Sequence, residues 1–103
     1  EQIQRTSPEA KVVKALNTAK IRALEIDAPP LTAAIQAGQR AMTQCRRRYL
    51  ENGRFGFSGP ELQAMHQAIY TYEAIEDASS ALQMEQAWET SKRSIELQMK
   101  ERE

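Results

Sequence analysis

Proline divides this chain into segments that favour helices. The four prolines stand at position 8, at positions 29 and 30, and at position 60. Proline lacks an amide N–H and its ring clashes with the preceding helical turn, so it is tolerated at the start of a helix and not in its interior. After each of these points apolar residues recur at spacings of three and four, which is the pattern of one helical face. Beyond a few residues around Phe55, no stretch alternates as a strand does, so the sequence predicts an all-α protein.

The first helix is predicted at about 7–26. Thr6 or Ser7 can cap its N-terminus with a side-chain oxygen, and the segment Asp27-Ala28-Pro29-Pro30 ends it because proline disfavours a helical residue before it. The apolar stripe that we expect to face the core consists of Val12, Leu16, Ala19, Ala23 and Ile26.

The second helix is predicted at about 31–51. It ends at Asn52-Gly53, because glycine accepts the left-handed conformation of a helix C-terminus. Its expected core stripe consists of Leu31, Ile35, Gly38, Met42, Cys45 and Tyr49. Small side chains on this helix should let another helix approach closely, and these are Ala34, Ala37, Gly38 and Ala41.

The third helix is predicted at about 59–77. Ser58 and Glu61 have the spacing of a capping box, in which each side chain accepts from the backbone N–H of the other residue. Phe57 and Leu62 have the spacing of a hydrophobic staple across the same helix start. The expected core stripe consists of Leu62, Met65, Ile69 and Tyr72.

The apolar pattern changes phase at residues 77–80, and a fourth helix is predicted at about 80–101. No glycine or proline forces a break there, so the chain either breaks, with Asp77 or Ser79 as the new cap, or bends within one long helix. We favour a break. The new stripe consists of Met84, Trp88, Ser91, Ile95 and Met99. This long helix either folds back onto the core or projects from it.

Length and composition predict one small domain, residues 1–103, built as a bundle of three or four helices. Hydrophobic residues make up 41% and charged residues 27%, which is typical of a soluble globular chain. The longest uncharged run, residues 28–39, contains two prolines, so no segment has the character of a transmembrane helix. No basic-then-apolar leader opens the sequence. We therefore expect a cytoplasmic protein without membrane contact.

Charge is unevenly distributed along the chain. Residues 28–60 carry five arginines and one acidic residue, whereas residues 61–91 carry six acidic residues and no lysine or arginine. The arginines, Arg40, Arg46, Arg47, Arg48 and Arg54, form a candidate patch for phosphate or carboxylate groups. The interpretation that we favour is pairing with the acidic residues Glu73, Glu76, Asp77 and Glu85, within one subunit or between two.

Catalytic and metal-binding residues are scarce. The chain has one cysteine and one histidine, which excludes an intrachain disulfide and a Cys/His zinc site within one subunit. Cys45 lies on an apolar stripe, and His66 lacks an evident partner to orient it for acid–base chemistry. No phosphate-binding glycine loop or nucleophile motif is present. We therefore predict no enzymatic activity and no cofactor.

The candidate partner-binding residues are Met84, Trp88, Ile95, Met99 and Phe55. For Phe55 the interpretation that we favour is an anchor of its loop in the corner between the second and third helices, and presentation to a partner is the alternative. Tryptophan and methionine are enriched at association surfaces, and an exposed apolar helix face usually marks one. The sequence therefore predicts a non-catalytic protein-interaction or regulatory module that acts as a homodimer and binds a further, unidentified protein. The alternative is a small nucleic-acid-binding regulatory protein in which dimerisation doubles the arginine patch. The zero net charge favours the first hypothesis.

Overall fold

The computed structural model describes residues 8–102 of the chain. Within them it has no strand and four α-helices, which are α1 (Pro8–Glu25), α2 (Pro29–Asn52), α3 (Gly59–Asp77) and α4 (Ala81–Arg102). The prediction of a small all-α bundle is confirmed, with four helices rather than three. Across the same residues, no helix combines the length and the apolar composition needed to span a membrane. The predicted caps Thr6 and Ser7 lie outside the described residues.

A tight turn at Asp27 and Ala28 joins α1 to α2. Asp27 has a φ of 55°, in the left-handed conformation that ends many helices and that glycine adopts most easily. The Ala28 N–H donates to the Ala23 carbonyl at 3.0 Å, which satisfies one of the free carbonyls at the end of α1. Pro29 then starts α2, where its missing N–H leaves no helical hydrogen bond unmade.

The predicted end of α2 and start of α3 are both confirmed. Gly53 has a φ of 74° and its N–H donates to the Tyr49 carbonyl at 2.8 Å. The capping box at the start of α3 is complete, because the Ser58 N–H donates to Glu61 Oε1 at 2.9 Å and the Glu61 N–H donates to Ser58 Oγ at 3.3 Å.

The chain breaks between α3 and α4, as the sequence favoured, but at a different cap. The Ser80 N–H donates to Gln83 Oε1 at 2.8 Å, and the Gln83 N–H donates to Ser80 Oγ at 3.0 Å. This is a second capping box, and it replaces the predicted caps Asp77 and Ser79. Ser80 is the residue with a glutamine three positions later, which a complete box requires.

The closest packing is between α2 and α3. A Cβ added at Gly38 would overlap the Cβ of Ala68, so the two backbones approach to a distance that only glycine permits at this position. The predicted close approach at Gly38 is confirmed. Helix α1 packs against both α2 and α3, and α4 packs against α1. The buried apolar residues are Leu16, Ala19, Ala23, Ile35, Ala41, Cys45, Met65, Ala68, Ile75 and Ala87.

The buried face of α3 is rotated from the predicted stripe. Leu62 and Ile69 are 45% and 38% exposed, whereas Ala68 and Thr71 are 0% and 6% exposed. The contact of Ala68 with Gly38 decides which face turns inward, and it leaves the larger side chains at the edge of the contact. Spacing favoured the larger residues because alanine and threonine contribute little to a hydrophobic pattern.

Candidate interaction surfaces

Arg48 is held in an ion pair at the corner between α2 and α3. Its guanidinium donates to Glu61 Oε2 at 2.7 Å and to Glu61 Oε1 at 2.5 Å, and it also donates to the Gly56 carbonyl at 2.8 Å. The hydrogen bonds from Arg48 and from the Ser58 N–H lower the pKa of Glu61 from 4.5 to about 2, and the same pair raises the pKa of Arg48. Arg48, a predicted member of the anion patch, is therefore already engaged within the subunit.

The other four arginines of the predicted patch are exposed, and their side chains form no ion pair within residues 8–102. Arg40 and Arg47 lie on one face of α2 and border the same shallow depression. Arg46 lies on the side of α2 that faces α1, in a groove that also contains Lys20. Arg54 lies in the loop that follows α2. The structure thus distributes the patch over separate faces of the molecule.

The pairing that we favoured for the arginines is not formed inside the described part of the subunit. The acid that Arg48 binds is Glu61, which precedes the predicted acidic partners. Those partners, Glu73, Glu76, Asp77 and Glu85, make no ion pair with an arginine there. Pairing between two subunits stays a prediction.

Phe55 lies on the surface beside the end of α2. Its side chain is 67% exposed, and its ring meets that of Tyr49 edge-on at a centroid distance of 6.1 Å. Tyr49 and Leu50 are 50% and 72% exposed, and Arg46 borders the same depression. Phe57, in contrast, is partly buried and packs against the core. We refer to Arg46, Tyr49, Leu50 and Phe55 together as the Phe55 corner.

The predicted stripe of α4 is divided into a packed half and an exposed half. Met84 and Trp88 are partly buried, and Ser91 is 4% exposed. Ile95 and Met99 are 38% and 61% exposed, and every side chain from residue 93 to residue 101 is exposed. The predicted partner-binding residues of α4 therefore lie in two different environments.

The relative position of α1 and α4 explains this division. Arg22 Nε, near the end of α1, donates to Ser79 Oγ at 2.9 Å, and Lys14, nearer its start, contacts Trp88. The two helices therefore run antiparallel. α1 has 18 residues and begins at Pro8, whereas α4 has 22 residues. The last turns of α4, from about Ile95 onward, consequently extend past the described start of α1.

Two lysines approach the ring of Trp88. Lys14 Nζ lies 5.1 Å and Lys92 Nζ lies 5.4 Å from the ring centroid, within the range of about 6 Å over which a cation is attracted to an aromatic face. Lys92 also pairs with Glu89 at 3.1 Å. The Lys14 contact joins α1 to α4, so Trp88 contributes to packing within the subunit.

The single cysteine and the single histidine lie in different environments. Cys45 is buried, and its thiol donates to the Gly56 carbonyl at 3.3 Å. His66 is exposed on α3, and no described side chain forms a hydrogen bond with it. No group of three or more His, Cys, Asp or Glu side chains in residues 8–102 could hold a metal ion.

Of the exposed apolar residues that the sequence analysis missed, three lie at these surfaces. Tyr49 lay on the expected core stripe of the second helix, and Leu50 and Leu97 lay on no stripe. Leu97 is 62% exposed, like its neighbours near the end of α4. The signal that could have found Tyr49 is its place in the last turn of a long helix, where a shorter neighbouring helix no longer covers the stripe.

No protein-family model matches this chain, and no curated protein and no solved structure matches it.

Proposed function

We propose that this chain is a non-catalytic interaction module that forms a homodimer through the last turns of α4 and binds a partner protein at the Phe55 corner. The observation that carries the proposal is the exposed end of α4. Ile95 and Met99, which are one helical turn apart on the same face, are 38% and 61% exposed, and they extend past the described start of α1. Neighbouring apolar side chains that the described residues of a subunit leave exposed usually mark an association surface.

An antiparallel arrangement of two α4 ends suits these residues. It places Ile95 of one copy beside Met99 of the other copy, so each apolar side chain gains a contact that residues 8–102 of its own subunit do not supply. On the flank of the same face, it brings Glu96 of one copy near Lys100 of the other. A two-fold axis repeats both contacts, and the opposite charges favour this orientation over others.

The Phe55 corner supports binding of a partner that presents an apolar side chain. Phe55 is 67% exposed, and the exposed side chains of Tyr49 and Leu50 lie beside it. Arg46 and Glu9 border the same depression, and neither forms an ion pair within residues 8–102. Aromatic residues combined with arginine are enriched among the side chains that dominate binding energy at interfaces.

The non-catalytic part of the proposal rests on the surroundings of the two reactive side chains. Cys45 is buried, and its thiol donates a hydrogen bond to the Gly56 carbonyl. His66 lacks a described partner to set its tautomer and orientation, which general acid–base catalysis requires.

The homodimer is tested by light scattering at about 10–100 µM protein, the range in which a modest helical interface is populated. We expect twice the monomer mass of 11.7 kDa. Ile95→Glu and Met99→Glu should each shift the protein to the monomer without loss of helical circular dichroism. The matched control is Leu82→Glu, which adds the same charge at a 63% exposed leucine in the first turn of α4. A wild-type monomer throughout this range, or equal dissociation by Leu82→Glu, contradicts the proposal.

Nucleic-acid binding is the second candidate function, and it is favoured by the four arginines that form no ion pair within residues 8–102. Proteins that neutralise phosphates lose affinity steeply as salt rises, because binding releases counterions. Anisotropy of labelled duplex DNA and single-stranded RNA, between about 50 and 200 mM salt, measures this slope. Under this alternative, Arg47→Glu abolishes binding and the control Arg93→Glu on α4 has a smaller effect. Absence of binding at the lowest salt excludes it.

A further inference from the structure

An open cleft lies beside Trp88 and is bordered by residues of α1, α3 and α4. Its volume is about 430 Å³, within the range of small-molecule sites, which also occur between the helices of bundles. The cleft is lined by Lys11 and Lys14 from α1, Glu76 from α3, and Met84, Glu85 and Trp88 from α4. We refer to these six residues as the Trp88 cleft.

The charged residues of the Trp88 cleft do not neutralise one another. Lys11 and Lys14 form no ion pair within residues 8–102, and neither do Glu76 and Glu85. Two cations and two anions therefore border one opening while remaining more than an ion-pair distance apart. Glu76 accepts a hydrogen bond from the Tyr72 hydroxyl at 3.2 Å, which holds its carboxylate in place.

The floor of the cleft contains a polar group without a partner. Thr18 is only 6% exposed, and its Oγ1 is the buried side-chain polar atom that lacks a hydrogen bond among the described residues. A buried hydroxyl without a partner costs free energy, so the group calls for an explanation such as a bound water, ion or ligand. Threonine in a helix has two accessible χ1 rotamers, so this hydroxyl can turn toward a bound polar group.

We propose that the Trp88 cleft binds a small zwitterion with an apolar group, of the class of α-amino acids with an aliphatic or aromatic side chain. The ligand's carboxylate lies between Lys11 and Lys14, and its ammonium group faces Glu76 and Glu85. Its apolar side chain packs on Met84 and against the indole of Trp88, beside the Lys14 ammonium that approaches the same ring at 5.1 Å. A ligand with both charges satisfies both pairs, which an anion or a cation alone does not. This inference is independent of dimerisation by α4 and of the Phe55 corner.

The test uses the fluorescence of Trp88, the chain's single tryptophan, with calorimetry as a second readout. L-leucine should give a saturable change in emission with a dissociation constant of about 10 µM to 1 mM. Glycine lacks the apolar group and should give none. N-acetyl-L-leucine lacks the ammonium group and L-leucine methyl ester lacks the carboxylate, so each should bind about tenfold more weakly than leucine.

Two variants test which residue of the cleft binds each charged group of the ligand. Lys14→Gln should weaken leucine about tenfold while leaving the affinity for the methyl ester unchanged. Glu76→Gln should weaken leucine similarly while leaving the affinity for N-acetyl-leucine unchanged. The control Lys20→Gln, on the α1 surface that faces α2, should have no effect.

Three outcomes overturn the proposal. The first is no saturable signal in emission or in heat with leucine up to about 10 mM. The second is glycine binding as tightly as leucine, which removes the apolar requirement. The third is N-acetyl-leucine binding as tightly as leucine, which leaves an anion site only. Unchanged circular dichroism in each variant ensures that a lost signal reports the cleft and not the fold.

Discussion

Arg48 and Glu61 form an ion pair that joins the last turns of α2 to the first turn of α3. Both carboxylate oxygens of Glu61 accept from the Arg48 guanidinium, at 2.7 and 2.5 Å. Oε1 also accepts the Ser58 N–H at 2.9 Å. One carboxylate therefore completes the cap of α3 and anchors α2. Arg48 extends this anchor to the loop through the Gly56 carbonyl at 2.8 Å, so the ion pair closes the connection between the two helices.

We predict that acid destabilises the fold through Glu61. Its pKa is lowered from 4.5 to about 2 by the hydrogen bonds from Arg48 and Ser58, so the unfolded chain takes up the proton more readily than the folded chain. The stability that this group contributes is complete above pH 4.5 and is lost as the pH falls toward 2. Urea unfolding of wild type and of Glu61→Gln from pH 7 to pH 2 measures the difference, which should shrink across this window.

The control for this prediction is Glu96→Gln on the exposed end of α4, which should follow the wild-type pH dependence. Glutamine at position 61 still accepts from the Ser58 N–H, so the substitution removes the charge and keeps the capping box. Parallel pH profiles for wild type and Glu61→Gln would show that the ion pair does not couple protonation to stability.

Gly38→Ala should destabilise the fold by about 1–3 kcal/mol, because the added Cβ overlaps Ala68 and forces α2 and α3 apart. Helix propensity alone predicts the opposite sign, a gain of about 1 kcal/mol. The control is Gly59→Ala, where nothing lies within 4 Å of the added Cβ, and no loss is expected. Thermal unfolding measures both. Adding Ala68→Gly to Gly38→Ala should recover part of the loss, and the absence of any recovery would place the strain elsewhere.

The helix ends could be predicted from sequence where a short signal determines them. The prolines, Gly53 and the Ser58–Glu61 capping box each act on neighbouring backbone groups, so their effects do not depend on the rest of the fold. The close approach at Gly38 was also predictable, because few residues are small enough to permit it. The second capping box, formed by Ser80 and Gln83, had the same spacing signal and could have been recognised.

The candidate surfaces depend on contacts between distant residues, which spacing does not determine. The partner of Arg48 is Glu61 rather than the acidic stretch that follows, because the loop after α2 brings the start of α3 to it. Ile95 lies on the same stripe as Trp88, but the described part of α1 packs against Trp88 and does not reach Ile95. That difference follows from the relative lengths and register of two helices, which an amphipathic pattern does not contain.

Ser80→Ala should destabilise the fold by about 0.5–2 kcal/mol, because it leaves the Gln83 N–H without its acceptor at the start of α4. Hydrogen exchange should localise the loss to the first turn of α4. Ser94→Ala, at an exposed position within the same helix, is the matched control and should be neutral or slightly stabilising because alanine is the better helix former. An equal loss in both variants would indicate that the cap contributes nothing specific.

Phe55 and Phe57 should respond oppositely to truncation, although one residue separates them. Phe57→Ala should cost about 2 kcal/mol of stability, because its partly buried ring packs against the core. Phe55→Ala should cost less than about 0.5 kcal/mol, because its ring is 67% exposed, and it should instead weaken binding to a partner of the Phe55 corner. Urea unfolding of the two variants gives the stability comparison. If Phe55→Ala destabilises the fold as much as Phe57→Ala, the Phe55 ring stabilises the fold. That result would contradict the proposal that the Phe55 corner is a binding surface.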